Sequence, residues 1–437
     1  MFREPEFWIR AGQLVQGHVG NDTAFWFDLD FVEFSFVNFH YGQIAGDEII
    51  TLVERMLPTV PEVVLVENIA PGQFLFLVLT KNPQTPEDLS SVLKDYENYL
   101  LREARKKYPL ANLRICCGIA PVNSMNLIDA IDNAALARKQ SRSTPGCPPV
   151  MFRQQMRERF LLRNQAELEY HMAMREKRFS HYLQPKVDLL TGQITGAEAL
   201  ARRMDADGKV IYPDSFIPVL EESGDVVALD FLIFDQVCSF MGKRLEEGLP
   251  VVCTSVNLSR LHLKNLEDAE LLKEIADRYH VPPSLIEFEM TESILLDEFK
   301  TAQKFGKLLR SYGFTTSIDD FGSGYAGINI WQELSFRTLK LDRKFLTDEP
   351  MVKSRNSAII PGIVEIAHRL GIDVICEGVE RADQCRRLLA LGCRYAQGFY
   401  FSPALAPEDF YEMFQRQRGY FPLSFHVEVV DNETETL

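Results

Sequence analysis

Between residues 179 and 425 the chain repeats one local pattern seven times, a short β-rich run followed by a stretch of helical character. The runs read ITGAEALAR, VVCTSVNLS, LIEFEMTES, TTSIDDF, RTLKLD, DVICEGVE and YAQGFYFS. A strand that hands over to a helix and returns as a strand builds parallel sheet, and this many units close it into a (β/α) barrel. The expected class is α/β, with a C-terminal TIM-like barrel as the larger domain.

Strand and helix also alternate over residues 20–145. AFWFDLDFVEF, PEVVLVEN, QFLFLVL and LRICCGIAPV read as strands, the middle two joined by a tight APG turn. IAGDEIITLVERML, DLSSVLKDYENYLLREARKKY and LIDAIDNAALARKQ read as helices, so a small α/β domain is expected there. Residues 146–178 read as a connecting helix, because Met151 to Phe179 is charged, free of Pro and Gly, and carries apolar Phe152, Met156, Phe160 and Leu161. A solvated linker and a signal-carrying rod have the same sequence signature. Residues 426–437 form an acidic tail, expected to be disordered.

Charge narrows the partners. With 62 acidic against 47 basic residues the net charge is −15, which disfavours a nucleic acid polymer or an anionic membrane surface. A phosphate-bearing ligand then needs metal ions or local Arg and Lys. No window reaches about 18 uninterrupted apolar residues, and the opening MFREPEFWIR mixes charges where a signal peptide would be apolar, so a cytoplasmic protein is expected. The eight cysteines are dispersed without C-x-x-C spacing and read as buried reduced thiols.

The seven runs end in Glu198, Asn257, Glu289, Asp319 with Asp320, Lys340, Glu377 and Gln397. In a barrel those are the C-terminal strand ends, where active sites lie. Each is unremarkable as an isolated strand-terminal polar residue, but that reading fails for the set. Four or five carboxylates in one cleft repel one another and need cations. The donors are all oxygen, with an Asn carbonyl and no His or Cys, which selects Mg²⁺ or Mn²⁺ over zinc. Two such ions would activate a water for in-line displacement at a phosphate ester, with Lys340 holding the water or the developing charge.

Glu198-Ala199-Leu200-Ala201-Arg202 resembles the signature of the EAL family of cyclic di-GMP phosphodiesterases. YLQPKVDLLTG, FIPVLEESG, SVNLS, EFEMTES, DDFGSGY, LKLDRKF, CEGVE and AQGFYFSP follow the family's order and spacing. The resemblance implies that Glu198, Asn257, Glu289 and Asp319 hold a first metal, and Asp319 and Asp320 a second. It implies catalytic roles for Glu198, Lys340 and Glu377, and substrate contacts from Gln184, Leu200, Arg202 and Gln397. Glu292 and Glu380 resemble loop supports. For Arg202 the alternative is an ordinary surface arginine. Two departures, Ala326 and Gly327, fall where relatives often carry small hydroxyl residues, in a loop that helps order the metal site.

The first domain resembles a degenerate GGDEF, or diguanylate cyclase-like, domain through DLDFVEFSFVNFHYGQIAGDE and NAALARKQ. Its signature turn reads Ala70-Pro71-Gly72-Gln73-Phe74, so cyclase activity should be lost. Asp30 matches a metal position, and Asn38 and Asp47 match positions that read guanine, which leaves a GTP site as one reading. The other is that Asn38 and Asp47 are helix-end and turn residues serving their own hydrogen bonds.

The expected function is metal-dependent hydrolysis of cyclic di-GMP to linear pGpG, with the first domain regulatory and, by resemblance, a homodimer formed through the barrel. The rivals are a catalytically silent cyclic di-GMP receptor and a protein-interaction module.

Overall fold

The computed structural model describes residues 5–16, 23–60, 62–81, 86–109, 113–122, 127–292, 298–322, 335–347 and 349–423. Ala326, Gly327 and the acidic tail lie outside the described residues. The chain divides into two compact units at Gln165/Ala166.

The first unit is built on β1 (Ala24–Val32), whose nearly unbroken apolar sequence suits a strand buried on both faces. Phe25, Phe27, Leu29 and Phe31 enter one core cluster, while Ala24 and Trp26 enter another. The sheet order is β2 (Val63–Ala70), β3 (Gln73–Leu79), β1, β4 (Arg114–Pro121), β5 (Val150–Met151), with β1 antiparallel to β3 and β4. Pro71 and Gly72 link β2 to β3, and Gly72 is at φ 79°, where an added Cβ would lie 2.7 Å from the Phe34 ring. The helices are α1 (Pro5–Gln16), α2 (Phe34–Tyr41), α3 (Gln43–Met56), α4 (Pro86–Lys107) and α5 (Asp129–Ser143). Two of these, α1 and α2, were not expected; the aromatic residues of α2 look like a continuation of β1, but the chain turns at Glu33 with φ 64°.

Helix α6 (Gln154–Arg175) lies in the stretch read as a connecting helix and carries the boundary between the units.

The second unit is a closed eight-stranded barrel: β6 (Phe179–Asp188), β7 (Ile194–Met204), β9 (Cys253–Asn257), β10 (Ile286–Thr291), β11 (Thr315–Phe321), β12 (Thr338–Leu341), β13 (Asp373–Cys376) and β14 (Tyr395–Gln397). The strand β8 (Val210–Ile211) pairs only with the end of β7. Helices α7 (Ile217–Ser223), α8 (Val226–Glu246), α9 (Asp268–Arg278), α10 (Phe299–Ser311), α11 (Pro350–Arg369), α12 (Ala382–Ala390) and α13 (Pro407–Arg416) intervene along the chain, and their apolar residues share one core with the strands. The seven expected runs supply seven strands; the eighth, β6, was not counted and departs from a plain (β/α) repeat. It is antiparallel to both β7 and β14. A short turn with Gly192 at φ 78° joins β6 to β7, and a hairpin allows no other orientation.

All eight cysteines are free thiols, and Cys253 alone of them is partly exposed. Among the described residues no helix is long and apolar enough to cross a membrane.

Candidate active site

Side chains alternate along a strand, so residues two apart share a barrel face. Register then fixes which of them meet: Gln184 lies beside Glu198, Glu198 beside Ser255, and Asn257 beside Glu289. One layer deeper stand Lys186, Glu287 and Thr338, joined by hydrogen bonds inside the barrel. The expectation that each site residue ends its strand needs correction for Glu198, Glu289, Asp319, Asp320 and Lys340, which lie within β7, β10, β11 and β12. β7 pairs with β9 only from Gly196 to Ala199, and beyond that its partners are β6 and β8. Glu198 therefore stands near the end of the parallel portion rather than the end of the strand.

Lys340 occupies the centre, 1% exposed. Its Nζ lies 3.2 Å from Glu198 Oε2, 3.2 Å from Asp319 Oδ1 and 2.5 Å from Glu377 Oε1, and it donates to Glu289 Oε2. Burial opposes its ammonium, but the surrounding carboxylates outweigh that and push its pKa well above the usual lysine value. The carboxylates divide. Burial pushes Asp319 up to about 7 and Glu377 up to about 8, with repulsion from neighbouring carboxylates only partly offset by Lys340. Burial acts the same way on Glu289, yet the attraction of Lys186 and Lys340 prevails and holds it at about 2.

Asp319 and Asp320 are consecutive, and on a regular strand they would point to opposite faces. The register between β11 and β12 shifts between Ile318 and Phe321, and Asp320 adopts φ 57°. Aspartate tolerates this left-handed conformation better than most residues. The irregularity brings carboxylate oxygens of Asp319, Asp320 and Glu377 within 4.8 Å of one another. The Asp320 amide donates to Asp319 Oδ1 at 2.8 Å, fixing the first carboxylate. Burial and the nearby Asp342 raise the pKa of Asp320.

This donor set fits a hard divalent cation. It is all oxygen, and among the described residues Lys186 and Lys340 are the cations within ion-pair distance of Glu198, Glu289, Asp319 and Glu377. Burial first, and then repulsion from the neighbouring carboxylates, raises Asp319 and Glu377, and a bound cation would oppose both effects.

Glutamines tie the rim together. Gln397 Nε2 lies 2.7 Å from Glu198 Oε2 and 3.0 Å from Gln184 Oε1, and Gln184 Nε2 donates to the Ser402 carbonyl at 3.1 Å. Asn257 Nδ2 donates to Glu198 Oε1 at 2.9 Å. Arg202 is 7% exposed, so the surface-arginine alternative does not describe it. Its guanidinium lies 5.0 Å from the Tyr212 ring centre and 5.7 Å from that of Tyr182, and among the described residues it has no carboxylate within ion-pair distance. Leu200, half-buried, pairs with Tyr182 in the register of β6 and β7. Glu292 Oε2 accepts the Gly322 amide at 2.7 Å, tying the end of β10 to the chain just after Asp320. Glu380 is exposed, and its backbone amide donates to Gln384 Oε1.

Lys186 was missed by the sequence reading. The signal was present, because Lys186 lies two residues from Gln184 and a strand places both on one face.

In the first unit Asp30, Asn38 and Asp47 do not form one cluster with a shared partner among the described residues. Asp30 Oδ2 is 2.8 Å from Arg138 Nη1 and 3.2 Å from Arg142 Nη1, while Arg138 Nε lies 3.0 Å from Asp28 Oδ2. Gln73 of the altered turn donates to Asp28 at 2.8 Å. Asn38 Oδ1 is buried without a hydrogen-bond partner, close beside Gly46, and Asp47 is exposed.

A family model described as "EAL domain" matches residues 167–404. Over 230 residues the chain is 36% identical to the probable cyclic di-GMP phosphodiesterase PdeB of Escherichia coli K12, covering 53% of this chain and 43% of PdeB. It is 34% identical over 233 residues to the cyclic di-GMP phosphodiesterase RocR of Pseudomonas aeruginosa, covering 53% of this chain and 59% of RocR. A solved structure of the PaMucR phosphodiesterase in complex with c-di-GMP superposes with a TM-score of 0.53 at 29% identity, over 56% of this chain and 99% of that one. The chain spans about half the length of the curated relatives it matches.

Proposed function

Because the chain belongs to the EAL domain family, we propose that its barrel hydrolyses one phosphodiester bond of cyclic di-GMP, releasing linear pGpG in a reaction that requires Mg²⁺ or Mn²⁺. The observation that carries this reading is the centre itself: carboxylates from β7, β10, β11 and the end of β13 converge on Lys340 with too little positive charge to balance them. Glu198, Asn257, Glu289, Asp319 and Asp320 would hold two divalent ions, which supply an activated water and offset the negative charge that builds on the phosphate.

The chain's own groups have separable tasks. Lys340 donates hydrogen bonds where negative charge concentrates and stays charged throughout, since its pKa is raised. Glu377, with Oε1 2.5 Å from Lys340 Nζ, holds that ammonium in place and stands beside Asp319 and Asp320 as a further carboxylate facing the proposed ions. Arg202, buried without a carboxylate and framed by Tyr182 and Tyr212, offers a forked donor to a phosphate of the substrate. Gln397 holds Glu198 directly, Gln184 accepts from Gln397, and both are candidate substrate contacts. The names of PdeB and RocR and the ligand of PaMucR support this substrate.

The first unit is read as a degenerate GGDEF domain that regulates the barrel and makes no cyclic dinucleotide. Arg138 and Arg142 already neutralise Asp28 and Asp30, so those carboxylates have cationic partners without a metal. Asn38, with its unpaired oxygen, and Asp47 are its candidate guanine contacts. Titration calorimetry with GTP tests this; no heat at millimolar GTP and unchanged hydrolysis in its presence would remove the nucleotide version.

For the barrel, the test is chromatography of cyclic di-GMP incubated with the protein and Mg²⁺ or Mn²⁺, beside Glu198→Ala and a chelator control. Metal-dependent pGpG from the wild type alone supports the enzyme. Intact substrate that remains bound would favour the silent receptor.

A further inference from the structure

We propose that Lys186 is a positioning residue for this centre: its ammonium clamps Glu289 from the deeper layer of the barrel, so that the carboxylate meets its ligands in one orientation. The inference rests on the metal-dependent reading above. Lys186 lies on β6, the antiparallel strand that closes the barrel, and is 4% exposed. Its Nζ is 2.8 Å from Glu289 Oε1 and 3.3 Å from Glu287 Oε2. Lys340 takes the other oxygen of Glu289. The carboxylate thus has an ammonium on each oxygen and cannot rotate without breaking a buried ion pair.

The clamp is itself supported. Thr338 Oγ1 donates to Glu287 Oε1 at 2.6 Å, which holds Glu287 against Lys186. A continuous chain therefore runs along the barrel axis from Thr338 through Glu287, Lys186 and Glu289 to Lys340. Gly196 stands in register with Lys186 on β7; an added Cβ would lie 2.8 Å from the Cys253 carbonyl oxygen, so a larger residue there would disturb this layer. A 250 Å³ cavity lined by Lys186, Glu287, Thr195, Cys253, Arg337 and Asp373 reaches the lysine from the face opposite the proposed active site. Groups that orient a metal ligand from behind commonly change metal affinity or activity by about 10–100-fold when removed.

The experiment uses Lys186→Met, which keeps the length of the side chain without its charge, and Lys186→Ala, which joins the vacated space to the cavity. Circular dichroism establishes folding, electron paramagnetic resonance follows Mn²⁺ binding, and steady-state assays separate kcat from KM. Folded Lys186→Met should bind Mn²⁺ with an altered spectrum and lose kcat by about 10–100-fold, with KM within about twofold of wild type. Ethylammonium, entering by the cavity, should restore kcat to Lys186→Ala but not to Lys186→Met, whose thioether fills the space. A wild-type kcat and Mn²⁺ spectrum in folded Lys186→Met, or no response of folded Lys186→Ala to the amine, would overturn the proposal.

If both neutral variants fail to fold, Lys186→Arg retains the charge and reads the geometry alone. Its longer, planar group should lower kcat at least about fivefold with KM unchanged, and a wild-type kcat and Mn²⁺ spectrum in that variant would equally overturn the clamp. Should wild-type protein leave cyclic di-GMP intact, the phosphodiesterase reading fails, while the Mn²⁺ measurements still decide the role of Lys186.

Discussion

Replacing Lys340 by Met removes the cation on which Glu198, Glu289, Asp319 and Glu377 converge, in a position only 1% exposed. A unit-charge pair 3.2 Å apart is worth about 5 kcal/mol at an effective dielectric of about 20. The gross loss over four carboxylates is not realised, because burying the ammonium costs several kcal/mol and because Asp319 and Glu377 relieve themselves by holding protons. Removing one member of a buried charge cluster leaves a net loss of about 3–5 kcal/mol. For a unit the size of this barrel that lowers the melting temperature by about 6–20 °C. Calorimetric scans in a chelator should show this drop in the barrel transition. Millimolar Mg²⁺ should then raise the variant's transition more than the wild type's, since one fewer fixed cation competes for the carboxylates. A Lys340→Met protein melting within about 2 °C of wild type in chelator, or gaining no more from Mg²⁺, would refute the view that these carboxylates depend on positive charge for their stability.

The raised pKa values of Asp319 and Glu377 mean that the folded state binds more protons than the unfolded chain between about pH 4 and 8. In chelator, urea denaturation should therefore find the barrel losing stability as pH rises through that window, and Mg²⁺ should flatten the slope; a profile rising toward pH 8 would be the wrong sign. Metal binding at pH 6.5 should release protons, read by calorimetry in buffers of different ionisation heat. Arg202→Lys should raise KM for cyclic di-GMP about tenfold with little change in kcat, because an ammonium cannot reproduce a forked contact. Gly322→Ala should lower activity and cost more than about 1 kcal/mol, since Gly322 is at φ 93°, its added Cβ would sit 2.4 Å from Phe345 Cε2, and its amide is the donor to Glu292.

Seven barrel strands were legible because each is a short local run whose composition and flanking helix announce it. The polar residues within or closing those runs were legible for the same reason, and Glu198, Glu289, Asp319, Glu377 and Lys340 do meet. What could not be read was anything dependent on how strands pair. Only register shows that β6 closes the barrel antiparallel and so sets Gln184 beside Glu198. Only the irregularity after Ile318, with Asp320 in the left-handed region, turns two consecutive aspartates toward one place.

The amino-acid order by itself determined the chemistry available to this protein: acidic oxygen donors, two lysines and an arginine on strands that had to form a barrel. The tertiary structure decided which charges face which. Asp319 rises and Glu289 falls although both are buried carboxylates, because two lysines reach Glu289. Coulomb interactions depend on separation in space and on desolvation, and neither is a property of position along the chain.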